Sequence, residues 1–250
     1  MLRVEGLVKA FGGLRALDGC SFEATAGGIT GLIGPNGSGK STLFNCVTGF
    51  YAPDAGRVSF GGAPLTGLSP WEIAQRGIVR TFQQTRIFPR LTCLENLLSA
   101  PAGQPGEGLL AALVRPPRVR RREAALRARA EALLARVELA AHADTLAGSL
   151  SYGQQKLLEL GRALMTEPRL LLLDEPAAGI NPALLERLVE LIRALHAEGK
   201  GFLVVEHDMR LVMTLCQRVV VLDYGQTIAA GTPDEVARDP RVLDAYLGSA

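Results

Sequence analysis

The chain has no run of about 18 consecutive apolar residues, so no part of it is expected to span a membrane as a helix. It is poor in cysteine. Cys20, Cys46, Cys93 and Cys216 are scattered without a C-x-x-C pair, which excludes a disulfide frame and a structural zinc site. They read as small buried hydrophobes in a reducing compartment. It has almost no charge excess, only +2, which argues against bulk nucleic-acid binding as the main role. No signal-peptide pattern stands in Met1-Leu2-Arg3-Val4-Glu5, and no heptad is sustained long enough for a coiled-coil arm. These absences point to the cytoplasm, with any membrane association made through a partner. What is present is ordinary globular composition: 250 residues, 48% hydrophobic and 21% charged, enough for one large core or a core plus a subdomain.

The most informative stretch is Gly34-Pro35-Asn36-Gly37-Ser38-Gly39-Lys40-Ser41, followed by Thr42. It fits G-x-x-x-x-G-K-[ST], a phosphate-binding loop. The apolar run from Ile29 to Ile33 precedes it as a buried strand, and Lys40 to Thr48 follows with helical character. Gly34, Gly37 and Gly39 lack Cβ, so the backbone can turn sharply and approach a polyphosphate. Its N–H groups then form an anion nest at the positive end of a helix. Lys40 is placed to reach the terminal phosphates, and the Ser41 hydroxyl to hold Mg²⁺.

Around this loop the pattern alternates strands and helices. Val4 to Leu7 and Gly19 to Ala24 are strand candidates, as is Arg57 to Gly61. Phe11 lies between the first two, where position alone favours a core aromatic. Ser69 caps a short helix starting at Pro70, and Gly77 to Phe82 reads as a strand ending at Gln83-Gln84. After Gln84 the β character fades. Thr92 and Glu95 form a capping box, Pro101 to Gly108 is a loop, and Arg118 to Val137 strongly favours helix. Residues 85–149 therefore read as a helical subdomain inserted into an α/β frame made by 1–84 and 150–250, with a helical tail over 232–250. The basic cluster Arg115, Arg118, Arg120, Arg121 and Arg122 is either a solvated helix face or a patch for anionic lipid.

The frame resumes with a helix from Leu150–Gln155 to about Thr166, its buried face marked by Leu157, Leu160, Gly161 and Leu164. Leu170-Leu171-Leu172-Leu173 then fits a strand buried on both faces of a parallel sheet. It ends at Asp174-Glu175. Phe202 to Glu206 is the next strand, with His207 at its end. Ligand groups in parallel α/β sheets collect at carboxyl ends of strands, so Gln83, Asp174, Glu175, His207 and the glycine loop are expected to converge. Asp174 can hold Mg²⁺, and Glu175 can take a proton from, or orient, an attacking water.

The order of the glycine loop, Gln83, Leu150-Ser151-Tyr152-Gly153-Gln154-Gln155, Leu170 to Pro176 and Glu206-His207-Asp208 resembles the ATP-binding cassette family over the whole chain. Several stretches resemble the ATPases of bacterial branched-chain amino acid importers: Phe44 to Tyr51, Arg80 to Gln83, Glu175 to Pro182, Glu206 to Met209 and Ala245 to Gly248. The resemblance implies a P-loop NTPase with a parallel core sheet, an N-terminal antiparallel β subdomain and an inserted α-helical subdomain. It implies ATP and Mg²⁺ as ligands. Gly34, Asn36, Gly37, Ser38, Gly39, Lys40, Ser41 and Thr42 would bind nucleotide. Gln83 would sense the γ-phosphate and metal, Asp174 would complete the metal site, Glu175 would be the base, and His207 would contact the γ-phosphate. Phe11 would stack on adenine. Ser151, Gly153 and Gln154 would close over ATP held by a second ATPase subunit.

Two departures stand out. Tyr152 replaces the first glycine of the usual signature, and Asn181 stands where Asp is usual; both also resemble the importer subgroup. The implied partners are a second cassette, a membrane permease docked beside Gln83 to Leu98 and, indirectly, a solute-binding protein, with the chain peripheral on the cytoplasmic face. A urea or amide importer, a lipopolysaccharide exporter and a non-transport cassette are the alternatives.

Overall fold

The computed structural model describes residues 1–25, 27–82, 84–101 and 116–247. Gln83, Arg115, most of the Pro101–Gly108 loop and the last three residues lie outside them. The chain divides into two compact units. One comprises Met1–Gln83, Pro168–Ala178 and Ile192–Ala250, the other Gln84–Glu167 and Gly179–Leu191.

The first unit holds two sheets. A four-stranded antiparallel sheet runs β2 (Leu14–Ala24), β1 (Leu2–Phe11), β4 (Ala55–Phe60), β5 (Ala63–Pro64). Its first two strands are longer than periodicity indicates. Irregularities in register between Val4 and Leu7, Leu7 and Val8, and Lys9 and Ala10 break the alternation that marks a strand.

The six-stranded sheet contains β3 (Ile29–Ile33), β6 (Ile78–Arg80), β7 (Leu170–Asp174), β8 (Gly201–Val205), β9 (Arg218–Asp223) and β10 (Gln226–Gly231), in the order β10-β9-β3-β8-β7-β6. All neighbouring pairs are parallel except β10 on β9. β10 returns through Tyr224-Gly225, both at positive φ, the backbone a two-residue hairpin needs. Every residue of β3, β7 and β8 is buried, as expected where a parallel sheet is covered on both faces. Helix α1 (Lys40–Val47) places Leu43 and Phe44 in a core with Leu32, Leu172, Leu203 and Val220. Each such side chain contributes roughly 1.5–3 kcal/mol by leaving water. Helices α2 (Pro70–Gln75), α7 (Met209–Leu215), α8 (Pro233–Ala237) and α9 (Pro240–Leu247) complete the unit. Capping boxes start α2 at Ser69 and α8 at Thr232.

The second unit is helical: α3 (Cys93–Leu98), α4 (Pro117–Arg136), α5 (Tyr152–Leu164) and the first part of α6 (Pro182–Ala197). Thr92 and Glu95 close the box that starts α3. On α4, Val119, Leu126, Ala130 and Leu134 make the buried stripe, whereas Arg118, Arg120, Arg121 and Arg122 are exposed. Asn96 is fully buried and fixes the preceding loop: it accepts from Phe88 N–H at 2.8 Å and donates to the carbonyls of Phe88 and Thr92. Ile87 and Leu91 are half-buried, and the exposed Phe88 carries the Arg162 guanidinium over its ring. The four cysteines are free and buried. Burial pushes the Cys20 and Cys46 thiols up to about 11 and Cys216 to about 12, which makes them inert as nucleophiles.

Candidate nucleotide site

The loop between β3 and α1 is shaped by glycine. Gly34 has φ +149°, and a Cβ there would lie 2.0 Å from the Leu222 carbonyl oxygen. Gly39 has φ +103°, and its Cβ would lie 2.4 Å from the Ala16 carbonyl oxygen. The backbone can therefore pass against β9 and β2 only without side chains. Further bonds hold the loop. Gly225 N–H donates to the Ser38 carbonyl at 3.0 Å, and Ser38 N–H donates to the Pro35 carbonyl at 3.2 Å. Asn36, Gly37 and Ser41 are exposed at the rim, Thr42 is half-buried and Ser38 is buried. Lys40 is buried, and its Nζ donates to the carbonyls of Gly34 and Pro35 at 2.8 Å each. Burial pulls its pKa down, opposed by the charges of Glu175 and Asp174. The lysine thus rests on the loop's own carbonyls.

Phe11 ends β1 and is 43% exposed, which overturns the core-aromatic reading. Its ring meets Tyr51 edge-on at 5.2 Å, with Lys9 Nζ 5.5 Å from its centroid. Such a flat exposed ring is available for stacking.

The neighbouring strands end in polar residues, as parallel-sheet topology requires. β8 lies between β3 and β7, so His207, just beyond β8, and Glu175, just beyond β7, come together: His207 Nε2 lies 3.0 Å from Glu175 Oε1. Glu175 takes a left-handed φ of +48° while its N–H donates to the Val205 carbonyl at 2.9 Å. A strained backbone here aims the carboxylate off the strand end. Asp174 is 7% exposed and closes β7.

Two residues escaped the sequence reading. The side chain of Arg80, on β6, is 8% exposed and donates from Nη2 to Asp174 Oδ2 at 2.7 Å. An arginine following Ile78-Val79 in a buried strand was the available signal, since a buried cation needs a carboxylate on the adjacent strand. Glu206 is 4% exposed and accepts from Ala177 N–H at 2.8 Å and His207 N–H at 3.1 Å. Burial raises its pKa, with those N–H groups opposing. It ties the segment after Glu175 to the strand end that carries His207.

In the helical unit, Ser151 caps α5 and Gln154 returns the box: Ser151 N–H donates to Gln154 Oε1 at 3.0 Å, and Gln154 N–H to Ser151 Oγ at 3.4 Å. A Cβ on Gly153 would lie 2.2 Å from Leu184 Cδ2, so this position is restricted by packing against α6. The Tyr152 ring lies over Gly179, with Lys156 Nζ 5.4 Å from its centroid. Asn181 Oδ1 accepts from Leu184 N–H at 2.9 Å, the bond an Asp would also make as an N-cap.

Among the described residues no group of three His, Cys, Asp or Glu could cage a metal. Mg²⁺ takes one or two protein oxygens and leaves the remaining positions to phosphate and water. Asp174 and the Ser41 hydroxyl fit this role.

A glycine loop with Lys-Ser on one strand, a His on the next and an Asp-Glu pair on the one after defines a P-loop nucleotide hydrolase, and a serine-capped Ser-x-Gly-Gln helix narrows it to an ATP-binding cassette. A family profile described as ABC transporter matches residues 17–178, and the chain belongs to that family. A second profile, described as branched-chain amino acid ATP-binding cassette transporter, matches residues 226–250. The chain is 44% identical to the high-affinity branched-chain amino acid transport ATP-binding protein LivG of Salmonella typhimurium, over 100% of this chain and 98% of that protein. It is 43% identical over the same shares to BraF of Pseudomonas aeruginosa, of the same description. Among solved structures, a nucleotide-free ATP-binding cassette from an ABC transporter superposes with TM-score 0.85 at 40% identity, covering 98% of both chains. The ADP conformation of the cassette MJ1267 gives 0.82 at 39%, covering 99% of this chain and 98% of that one.

Proposed function

We propose that the chain binds and hydrolyses ATP to power a membrane importer of branched-chain amino acids. One observation carries the chemistry: Glu175 and His207 meet at 3.0 Å on adjacent parallel strand ends, next to the strand that feeds the phosphate loop. The substrate class rests on the full-length relatives, which are named for branched-chain amino acid transport.

In this reading Gly34, Asn36, Gly37, Ser38, Gly39, Lys40, Ser41 and Thr42 cradle the phosphates, and Phe11 stacks on the adenine. Lys40 gives up its two loop carbonyls for phosphate oxygens. Ser41, Gln83 and Asp174 would hold Mg²⁺, which would supply charge neutralisation and orientation. Glu175 takes a proton from water as the water oxygen attacks the γ-phosphorus. The bond to the bridging oxygen breaks, and ADP and phosphate leave. His207 first steadies Glu175 and then faces the γ-phosphate. Positioning and electrostatics carry the catalysis.

Ser151, Gly153 and Gln154 act across an interface, at a helix N-terminus suited to phosphate. Two cassettes arranged head-to-tail about a twofold axis would each supply half of two sites. A dimeric state bound to ADP and phosphate is known for the cassette MJ0796, which is 26% identical to this chain. No helix among the described residues is long and apolar enough to cross a membrane. In this reading, which rests on the relatives' description as transport ATP-binding proteins, the chain sits on the cytoplasmic membrane face through permease subunits, which a solute-binding protein supplies from the other side.

Uptake of radiolabelled leucine by cells lacking this chain tests the assignment. High-affinity uptake should be lost, and restored by the wild-type chain but not by Asp174→Asn. Unchanged leucine uptake with loss of urea uptake would reassign the solute. In the purified protein, His207→Ala should lower kcat by about 100-fold or more, with the thermal midpoint unchanged. Normal turnover would remove His207 from the mechanism.

A further inference from the structure

Arg80 joins three parts of the nucleotide unit. Its Nη1 donates to Asn45 Oδ1 on α1 at 2.5 Å, and its Nη2 to Asp174 Oδ2 on β7 at 2.7 Å. Its guanidinium carbon is 5.3 Å from the Phe44 ring centroid and 5.1 Å from that of Phe82. Phe82 in turn meets Phe50 edge-on at 6.0 Å. Nε is buried and finds no acceptor among the described residues. Both charged side chains are below one-tenth exposed, at 8% and 9%.

A buried pair of this kind contributes little net stability, because both ions lose their water. What it does supply is orientation. The planar fork spans Asn45 on the helix leaving the phosphate loop and Asp174 on the strand expected to meet the metal, and the aromatic rings hold its plane. Asp174 is therefore already neutralised and aimed. A divalent cation held by Asp174 would share the carboxylate with the guanidinium that donates to it at 2.7 Å, and like charges brought together in a dry site repel strongly.

We propose that Arg80 is the resident counter-ion of Asp174, a positioning residue that sets how tightly the ATP-loaded site takes its divalent cation. It holds the carboxylate when metal is absent and lowers metal affinity when nucleotide is bound, so that metal can leave with the products. This rests on the assignment of Asp174 to the metal.

Mn²⁺ binding to the full chain, read by electron paramagnetic resonance, tests it. The protein carries Glu175→Gln so that ATP is not consumed, and Mn²⁺ with ATP alone is the reference. Arg80→Gln should tighten Mn²⁺ by about tenfold, whereas Arg80→Lys, which keeps the charge, should stay near the parent. Combining Arg80→Gln with Asp174→Asn should abolish the difference. Unchanged or weaker Mn²⁺ binding in an Arg80→Gln protein that melts cooperatively overturns the proposal. If that variant does not fold, the unsubstituted chain decides. An arginine side-chain NMR resonance should shift with Mg²⁺ plus nucleotide and stay put with nucleotide in chelator; no metal-dependent shift refutes the role. Should Asp174→Asn alone leave Mn²⁺ binding intact, the metal assignment fails, which is a different result.

Discussion

Replacing Glu175 by glutamine should cut steady-state ATP hydrolysis by about 10²–10⁴-fold, the usual contribution of a positioned general base. ATP binding should persist, and ATP should now drive dimers on size exclusion. The substitution preserves shape, so the left-handed backbone at φ +48° and the N–H bond to Val205 stay as they are. What disappears is the carboxylate that faces His207 at 3.0 Å and to which we assign the proton. Hydrolysis that continues at the wild-type rate would refute the role given to Glu175. A variant that loses ATP binding as well would make this carboxylate part of the phosphate site instead.

Gly34→Ala should be the most damaging single methyl in the nucleotide unit. The added carbon would stand 2.0 Å from the Leu222 carbonyl oxygen and 2.9 Å from Ser38 Oγ, on a backbone with φ +149°. Neither β9 nor the loop can move without breaking the Ile33–Val221 register of the parallel pair. We expect a stability loss of about 3–5 kcal/mol, in the range reserved for steric and strain mechanisms, with loss of nucleotide binding. Gly37→Ala is the control for stability. Its φ is +80°, but nothing lies within 4 Å of the new carbon, so only the left-handed backbone penalty of about 1–2 kcal/mol applies. Urea melts of both variants and fluorescent-nucleotide titration of the first would check this. Equal stability losses at the two positions would show that Leu222 does not confine the loop.

Much of the site was legible because its signals are local. The glycine loop declares itself through residue types that a tight anion nest requires. The boxes at Ser69, Thr92 and Thr232 need only residues three apart. The Leu170–Leu173 run shows burial on both faces by composition alone. Phe11 was harder, since aromatic identity does not reveal exposure. Its placement at the β1–β2 turn beside Tyr51 comes from pairing between segments distant in sequence.

By itself, then, the amino-acid order determined the phosphate loop, the strand-end carboxylates and histidine, the capped signature helix and the family. Each of these is written in short-range chemistry. Tertiary structure alone decided which strands became neighbours, and with that everything depending on adjacency. It put His207 on Glu175 across 32 residues, Glu206 under Ala177 across 29, and Arg80 on Asp174 across 94. The physical reason is that sheet order is set by which buried faces pack best and by crossover connections, and no local propensity encodes that outcome.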